Sequence, residues 1–208
     1  GELTYDWKHG HAPNYDLEDY NAKAIQIGAN SYLQYNDATV FVDSSTNEIA
    51  INFWFQGNNS GTTRNIVSIG PNIKMNFTGN RFTFTKGSET IDPSIYRYGA
   101  LTFCSFIYDN GRVYFRYGTT SNLTARVEIN FSDTSHVSYV GNLQIGFGST
   151  GDKFDEISIY SDNINNTAQT TIYNNGIAAN LTTLESANSN LVSYYRLGDH
   201  PNDNPDYP

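Results

Sequence analysis

Cysteine is nearly absent from this chain: Cys104 stands alone among 208 residues. A single thiol excludes a disulfide framework. The fold must then rest on a hydrophobic core, which a chain of this length can build, since it buries roughly 70% of its unfolded surface. Cys104 itself lies in the apolar run 101–107, LTFCSFI, with no basic neighbour to lower its pKa. It reads as a small buried hydrophobe, not a reactive thiol. Positive charge is scarce too. Lys and Arg number 12 against 21 Asp and Glu, a net charge of −9, which argues against nucleic-acid binding through a basic face. There is no run of about 18 apolar residues, so the sequence predicts no helical membrane span. A P-loop, a dinucleotide fingerprint and a nucleophile elbow are all missing.

What is present is aromatic and β-branched. Tyr numbers 16 and Phe 12 against a single Met, a palette that favours strands. Short alternating runs separated by glycine turns cover 24–27, 32–35, 39–42, 66–69, 73–77, 82–84, 126–129 and 137–140. The strongest is 48–56, EIAINFWFQ. It puts Ile49, Ile51, Phe53 and Phe55 on one face and Ala50, Asn52, Trp54 and Gln56 on the other. The runs 101–108 and 112–117 meet across Asp109-Asn110-Gly111, and Asn-Gly between alternating strands is the strongest short hairpin signal. Many short strands with regular turns predict an all-β fold, a two-sheet antiparallel jelly-roll sandwich. Near the C-terminus the pattern changes. Asn166-Thr167 caps a helix over 168–175 with Gly176 beyond it, a second helical turn follows over 181–187, and 191–197 is a last strand. The expected division is an N-terminal arm over 1–21, a jelly-roll domain over 22–197 and an extended tail over 198–208.

The stretch 143–160, LQIGFGSTGDKFDEISIY, organises the chain. Strict alternation puts Phe154, Glu156, Ser158 and Tyr160 on one face and Asp155, Ile157 and Ile159 on the other. A carboxylate sharing a face with two isoleucines must be hydrogen-bonded, paired or metal-bound. Two readings stay open. Asp155 caps loop amides and locks the turn, or Asp152 and Asp155, with loop carbonyls and Asp37 or Asp43, hold a calcium ion. No other cofactor is implied. His9 and His11 flank Gly10 in a chelating spacing that lacks a third ligand. Glycosidase chemistry needs two carboxylates about 5 to 9 Å apart across one cleft. Asp155 and Glu156 are strand neighbours expected on opposite faces, so no catalytic pair is predicted. Trp54, Tyr114 and Tyr117 are the candidate rings for stacking against a carbohydrate, with a buried tryptophan on a curved sheet as the alternative for Trp54.

Three features carry a resemblance. The segment 154–160 followed by a short helix ending Ile172-Tyr173-Asn174-Asn175-Gly176 resembles the closing signature of laminin-G-like, concanavalin A-like lectin jelly rolls. The strand 48–56 resembles that family's central tryptophan strand, and the hairpin at Asp109-Asn110-Gly111 its long paired strands. The E-x-D-x-x-E spacing of jelly-roll glucanases is absent. A narrower likeness lies beyond the helix: 173–178 together with 190–199, NLVSYYRLGD, is similar to the end of laminin-G-like domains in structural proteins of tailed bacteriophages. It implies a non-enzymatic virion surface protein: a capsid decoration, a knob or an appendage component. Its expected partners are capsid or other virion proteins, copies of itself in an oligomer, and host surface glycans. The alternative is an extracellular carbohydrate-binding lectin or adhesin module, calcium-assisted.

Overall fold

Strand β4 (Glu48–Gln56) shows why two layers form. Ile49, Ile51, Phe53 and Phe55 are buried on one face, and Ala50, Asn52 and Trp54 are buried on the other. The computed structural model describes residues 14–15, 24–28, 31–58, 60–97, 99–148, 151–176, 181 and 190–195. Within them β4 is the middle of an eight-stranded antiparallel sheet. Its order is β1 (Asn14–Tyr15), β2 (Ala24–Gln26), β13 (Lys153–Tyr160), β4, β9 (Thr102–Asp109), β10 (Arg112–Gly118) and β11 (Val127–Ile129), with β14 (Leu191–Tyr195) also paired to β13. The second sheet has six strands. Its order is β3 (Leu33–Tyr35), β12 (Leu143–Phe147), β5 (Arg64–Ile69), β6 (Ile73–Thr78), β7 (Arg81–Lys86) and β8 (Glu89–Tyr96). The two sheets stack as an antiparallel jelly-roll sandwich.

The space between the sheets is filled with aromatic rings. Phe55 of β4 meets Phe77 of β6 edge-on at 5.1 Å, and Phe84 of β7 stacks on Phe106 of β9 at 6.1 Å. One rim is pinned by charge. Arg64 Nε lies 2.9 Å from Asp152 Oδ2, with both side chains almost wholly buried. Arg64 also donates to the Asn58 and Ser60 carbonyls, and Asp152 accepts from the Asn58 amide at 2.7 Å. These extra bonds offset part of the desolvation that a buried ion pair costs.

A second apolar layer lies on the outer face of the eight-stranded sheet. Helix α1 (Asn166–Tyr173) packs there, bringing Ile172 and Tyr173 onto Trp54, Phe103 and Ile107. Gln169 Nε2 donates to Ser105 Oγ at 2.7 Å beneath the helix. The cap lies one residue earlier than expected: Asn165 accepts from the Ala168 amide, the helix begins at Asn166, and it ends on Asn174 in the left-handed region.

Two strand expectations are corrected, and one further strand appears. Residues 39–42 form a 3-10 turn over Ala38–Phe41, because Asp37 accepts from the Thr39 amide at 2.9 Å and diverts the backbone from a ladder. Residues 137–140 pair with no strand; they run along the rim, where Asn72 donates to the Ser138 carbonyl. Strand β8 was not foreseen, since Pro93 and its charges break the alternating pattern. Those same features suit an edge strand. Asn14–Tyr15, within the expected arm, pairs with β2. The rest of the arm, His9 and His11, Arg196 and the tail lie outside the described residues, as does the second helical turn apart from the buried Leu181.

Candidate functional site

Strands β6 and β7 turn their apolar side chains inward and their polar ones outward. Ile73, Met75, Phe77, Phe82 and Phe84 belong to the inner core. Lys74, Asn76, Thr78, Arg81, Thr83 and Thr85 line the outside. The antiparallel register arranges these residues in rows across the sheet. One row runs Gln34, Gln144, Ser68, Lys74, Thr85 and Thr90 over all six strands. A second joins Asn65, Asn76 and Thr83, and a third Thr78, Arg81 and Tyr96. The β6–β7 register is closed by the two-residue turn Gly79-Asn80, with Gly79 at φ 62, a conformation glycine adopts without steric cost.

Hydrogen bonds hold this polar face in place. Gln144 Nε2 donates to Gln34 Oε1 at 2.8 Å, and Asn76 Nδ2 to Thr85 Oγ1 at 3.1 Å. The Thr85 and Thr90 hydroxyls are 2.9 Å apart, and those of Thr63 and Thr78 are 2.8 Å apart. Each group keeps unused lone pairs or protons for a ligand. Thr63, Asn76, Thr78, Thr85 and Thr90 border an open cleft of about 560 Å³, within the size range of ligand sites. A cleft walled by hydroxyls, amides and two cations suits a hydroxylated ligand. Tyr96, 42% exposed, stands at its β8 edge with the Arg81 guanidinium 5.3 Å above its ring.

The two cations differ. Arg81 Nη1 lies 2.5 Å from Asp92 Oδ2. That hydrogen bond holds the Asp92 carboxyl below its ordinary range and raises Arg81 further. Lys74 has no hydrogen-bond, ion-pair or ring partner among the described residues.

The opposite outer face is closed. Trp54 is 2% exposed, set between Phe103 at 5.6 Å and Tyr173 at 6.0 Å. It offers no free ring to a sugar, because α1 covers it; the alternative of a buried tryptophan is the one the structure has. Tyr114 shares this face with the Arg126 guanidinium 4.1 Å over its ring. Tyr117, three residues on, points to the other side of the sheet, stacked on Phe115 at 5.6 Å and beneath Arg97 at 4.2 Å. The three predicted rings therefore form no common platform.

Asp155 and Glu156 are where strand alternation fails. Asp155 lies opposite Trp54 and Ser158 opposite Asn52, so β13 carries one residue more than β4 between them. This is a β-bulge with Glu156 at φ 49, a position usually given to glycine. The extra residue reverses the faces. Phe154, Ile157 and Ile159 share the inner core, while Asp155, Ser158 and Tyr160 turn to the outer layer. Glu156 faces the same layer beside Trp54, Phe103, Ile172 and Leu181, and the Tyr194 hydroxyl donates to its carboxylate. The expected separation of the two acids, and the grouping of Asp155 with the isoleucines, are both overturned. Asp155 Oδ1 instead accepts the bulge amide of Glu156 at 2.9 Å. On its other edge β13 pairs with β2 up to Phe154 and with β14 from Ile157, so both acids fall in the gap between those strands. Only about 10 Å³ of space adjoins Glu156, room for one water at most.

The calcium expectation does not fit the described residues. Arg64 and the Asn58 amide occupy the Asp152 carboxylate, and Asp155 faces the outer layer. Asp37 and Asp43 cap their own turns through Thr39 and Ser45. Among the described residues no three acidic, histidine or cysteine side chains converge on a cation. One cluster of carbonyls does, but the Lys86 ammonium fills it, donating to Gly111, Asp133 and Ser135. Burial lowers the pKa of that lysine. His136 is exposed, with Nδ1 2.7 Å from the Tyr108 hydroxyl.

The chain is an antiparallel jelly-roll sandwich with one outer face covered and one open, and solved structures share the sandwich architecture. No protein-family model and no characterised protein's sequence matches the chain. Domain 4 of AbnA, an extracellular GH43 arabinanase from Geobacillus stearothermophilus solved with arabinotriose, superposes with a TM-score of 0.55 at 17% identity. The match covers 78% of this chain and 81% of that one. The enzymatically active domain of tailspike protein 2 of bacteriophage CBA120 superposes with a TM-score of 0.72 at 10% identity, over 95% of this chain and 33% of that one. The binding domain of botulinum neurotoxin DC, solved with SialylT, gives 0.55 at 7% identity, over 83% and 47%. These likenesses are of fold. The chain spans about half of the neurotoxin domain's length and a third of the tailspike's.

The sequence reading missed Lys74, Asn76, Arg81, Thr83 and Thr85. Their signal was available: 73–78 and 81–85 alternate strictly, and the polar set is Lys, Asn, Thr and Arg, placed face to face by a two-residue turn.

Proposed function

We propose that this chain is a non-catalytic glycan-binding module of a bacteriophage virion surface, engaging sugars on the β5–β8 face. The observation that carries the reading is the open cleft of fixed hydroxyls and amides, the groups that pair with a sugar's own hydroxyls. The arabinotriose and SialylT complexes of structurally similar domains support it, and the near-complete superposition on a tailspike domain supports the virion setting. A non-enzymatic role is favoured by the carboxylates. No Asp or Glu lines the cleft, and the Asp155–Glu156 pair lies on the far sheet without space for a substrate. Capsid or tail proteins and further copies of the chain are the expected assembly partners.

A glycan array tests the module directly. Binding is expected with and without calcium, and Thr83→Leu, which removes a hydroxyl and fills the cleft, should abolish it. An array without hits, or full binding by Thr83→Leu, overturns the reading. The virion setting is tested separately: the chain should sediment with assembled phage particles, and its absence from them refutes that placement.

A further inference from the structure

We infer that the glycan held on the β5–β8 face is anionic, its acidic group seated on Lys74. This deepens the glycan-binding reading and rests on it. The chain has 12 Lys and Arg against 21 acids, so a cation without a partner is conspicuous. The other described cations are engaged within the fold. Arg64 pairs with Asp152, Arg112 with Glu128, Lys86 with three carbonyls, and Arg116 and Arg126 with main-chain oxygens. Arg97 lies over Tyr117. Lys74 alone among the described cations stands half-buried with nothing bound to it, and it stands in the cleft.

Its neighbours define what it would hold. Across the ladder it lies between Ser68 and Thr85, with Asn76 two residues along the same face. An acidic group on the ammonium would therefore be flanked by donors and acceptors for ring hydroxyls. Arg81 lies four residues from Thr85 on β7, which sets the two cations about 14 Å apart along the strands. The span is longer than one sugar ring, so the ligand is an oligosaccharide or polysaccharide laid along β6 and β7. Arg81 has donors left after its bond to Asp92, but Asp92 already balances its charge. Lys74 thus provides the net attraction. The chain's overall negative charge opposes this little, because salt screens exposed charges beyond about 8 Å.

The probe is a printed array of bacterial capsule and O-antigen polysaccharides, neutral ones beside ones bearing uronate, sialate or phosphate. Hits are expected among the acidic ones. Titration of the best hit should show Lys74→Gln weakening binding about tenfold, the worth of one charge-assisted hydrogen bond. Asp92→Asn should tighten binding, a gain that loss of structure would not produce. Removing the glycan's charge, by carboxyl reduction or dephosphorylation, should weaken wild type as much as Lys74→Gln does and leave Lys74→Gln unaffected. Neutral hits, or independent effects of the two changes, overturn the anionic inference while the glycan reading stands. An array with no binding at all removes both.

Discussion

The two outer faces of this sandwich are built from strands of similar alternating pattern and end opposite in character. On the eight-stranded sheet, Trp54, Phe103 and Tyr160 point outward and are sealed by α1 and Leu181. On the six-stranded sheet, Lys74, Asn76, Thr83 and Thr85 point outward and border an open cleft. The closed face contributes stability through burial of aromatic surface. The open face contributes little, and is free to be shaped by a ligand. Acidic groups follow the opposite rule from the one a catalytic cleft requires: Asp155 and Glu156 sit under the closed face, away from solvent.

The largest break in this comparison is Trp54→Ala. It empties the centre of the closed face, and chemical denaturation should show a loss of about 3–5 kcal/mol, as for other buried aromatics. A loss under about 1 kcal/mol would mean the helix layer contributes little. Arg64→Met is expected to cost a similar amount, about 3–5 kcal/mol, because it strands the Asp152 carboxylate in the rim that joins the two sheets. Next comes the bulge. Both Glu156→Ala and Glu156→Gly remove the carboxylate, but only glycine accepts φ 49 freely. The glycine variant should be more stable than the alanine variant by about 1–2 kcal/mol, and equal urea midpoints would show that the bulge relaxes. The smallest effect lies on the open face. Asp92 has a folded pKa below its ordinary 3.8 because of Arg81, so the unfolded chain takes up the proton first on acidification. The pair's contribution is complete above that value and is lost as pH falls through the folded one. Wild type and Asp92→Asn should therefore differ at neutral pH and converge below the carboxylate range. A difference that persists in acid would assign it to something other than the Arg81 pair.

Much of the fold was legible. The 48–56 strand has the two faces its sequence predicts, and Asn110-Gly111 makes the two-residue turn, with both residues at positive φ. Local signals suffice there, because pleat and turn chemistry are properties of a few adjacent residues. Asp155 and Glu156 were misread because a single inserted residue flips every side chain beyond it, and Glu156 carries no glycine to mark the bulge. Trp54 and Lys74 show the same limit from the other side. Alternation puts each on an outward face, and nothing local says which of the two will be covered.

The sequence by itself determined most of the strands, their inner faces outside the β13 bulge, the two-residue hairpins and the scarcity of cations, since these follow from period-two patterning and composition. Only the tertiary structure decided which outer face α1 would close, which carboxylates it would bury and which lysine it would leave without a partner. Those outcomes depend on contacts between segments more than a hundred residues apart, such as Trp54 with Tyr173, and no short stretch of sequence encodes them.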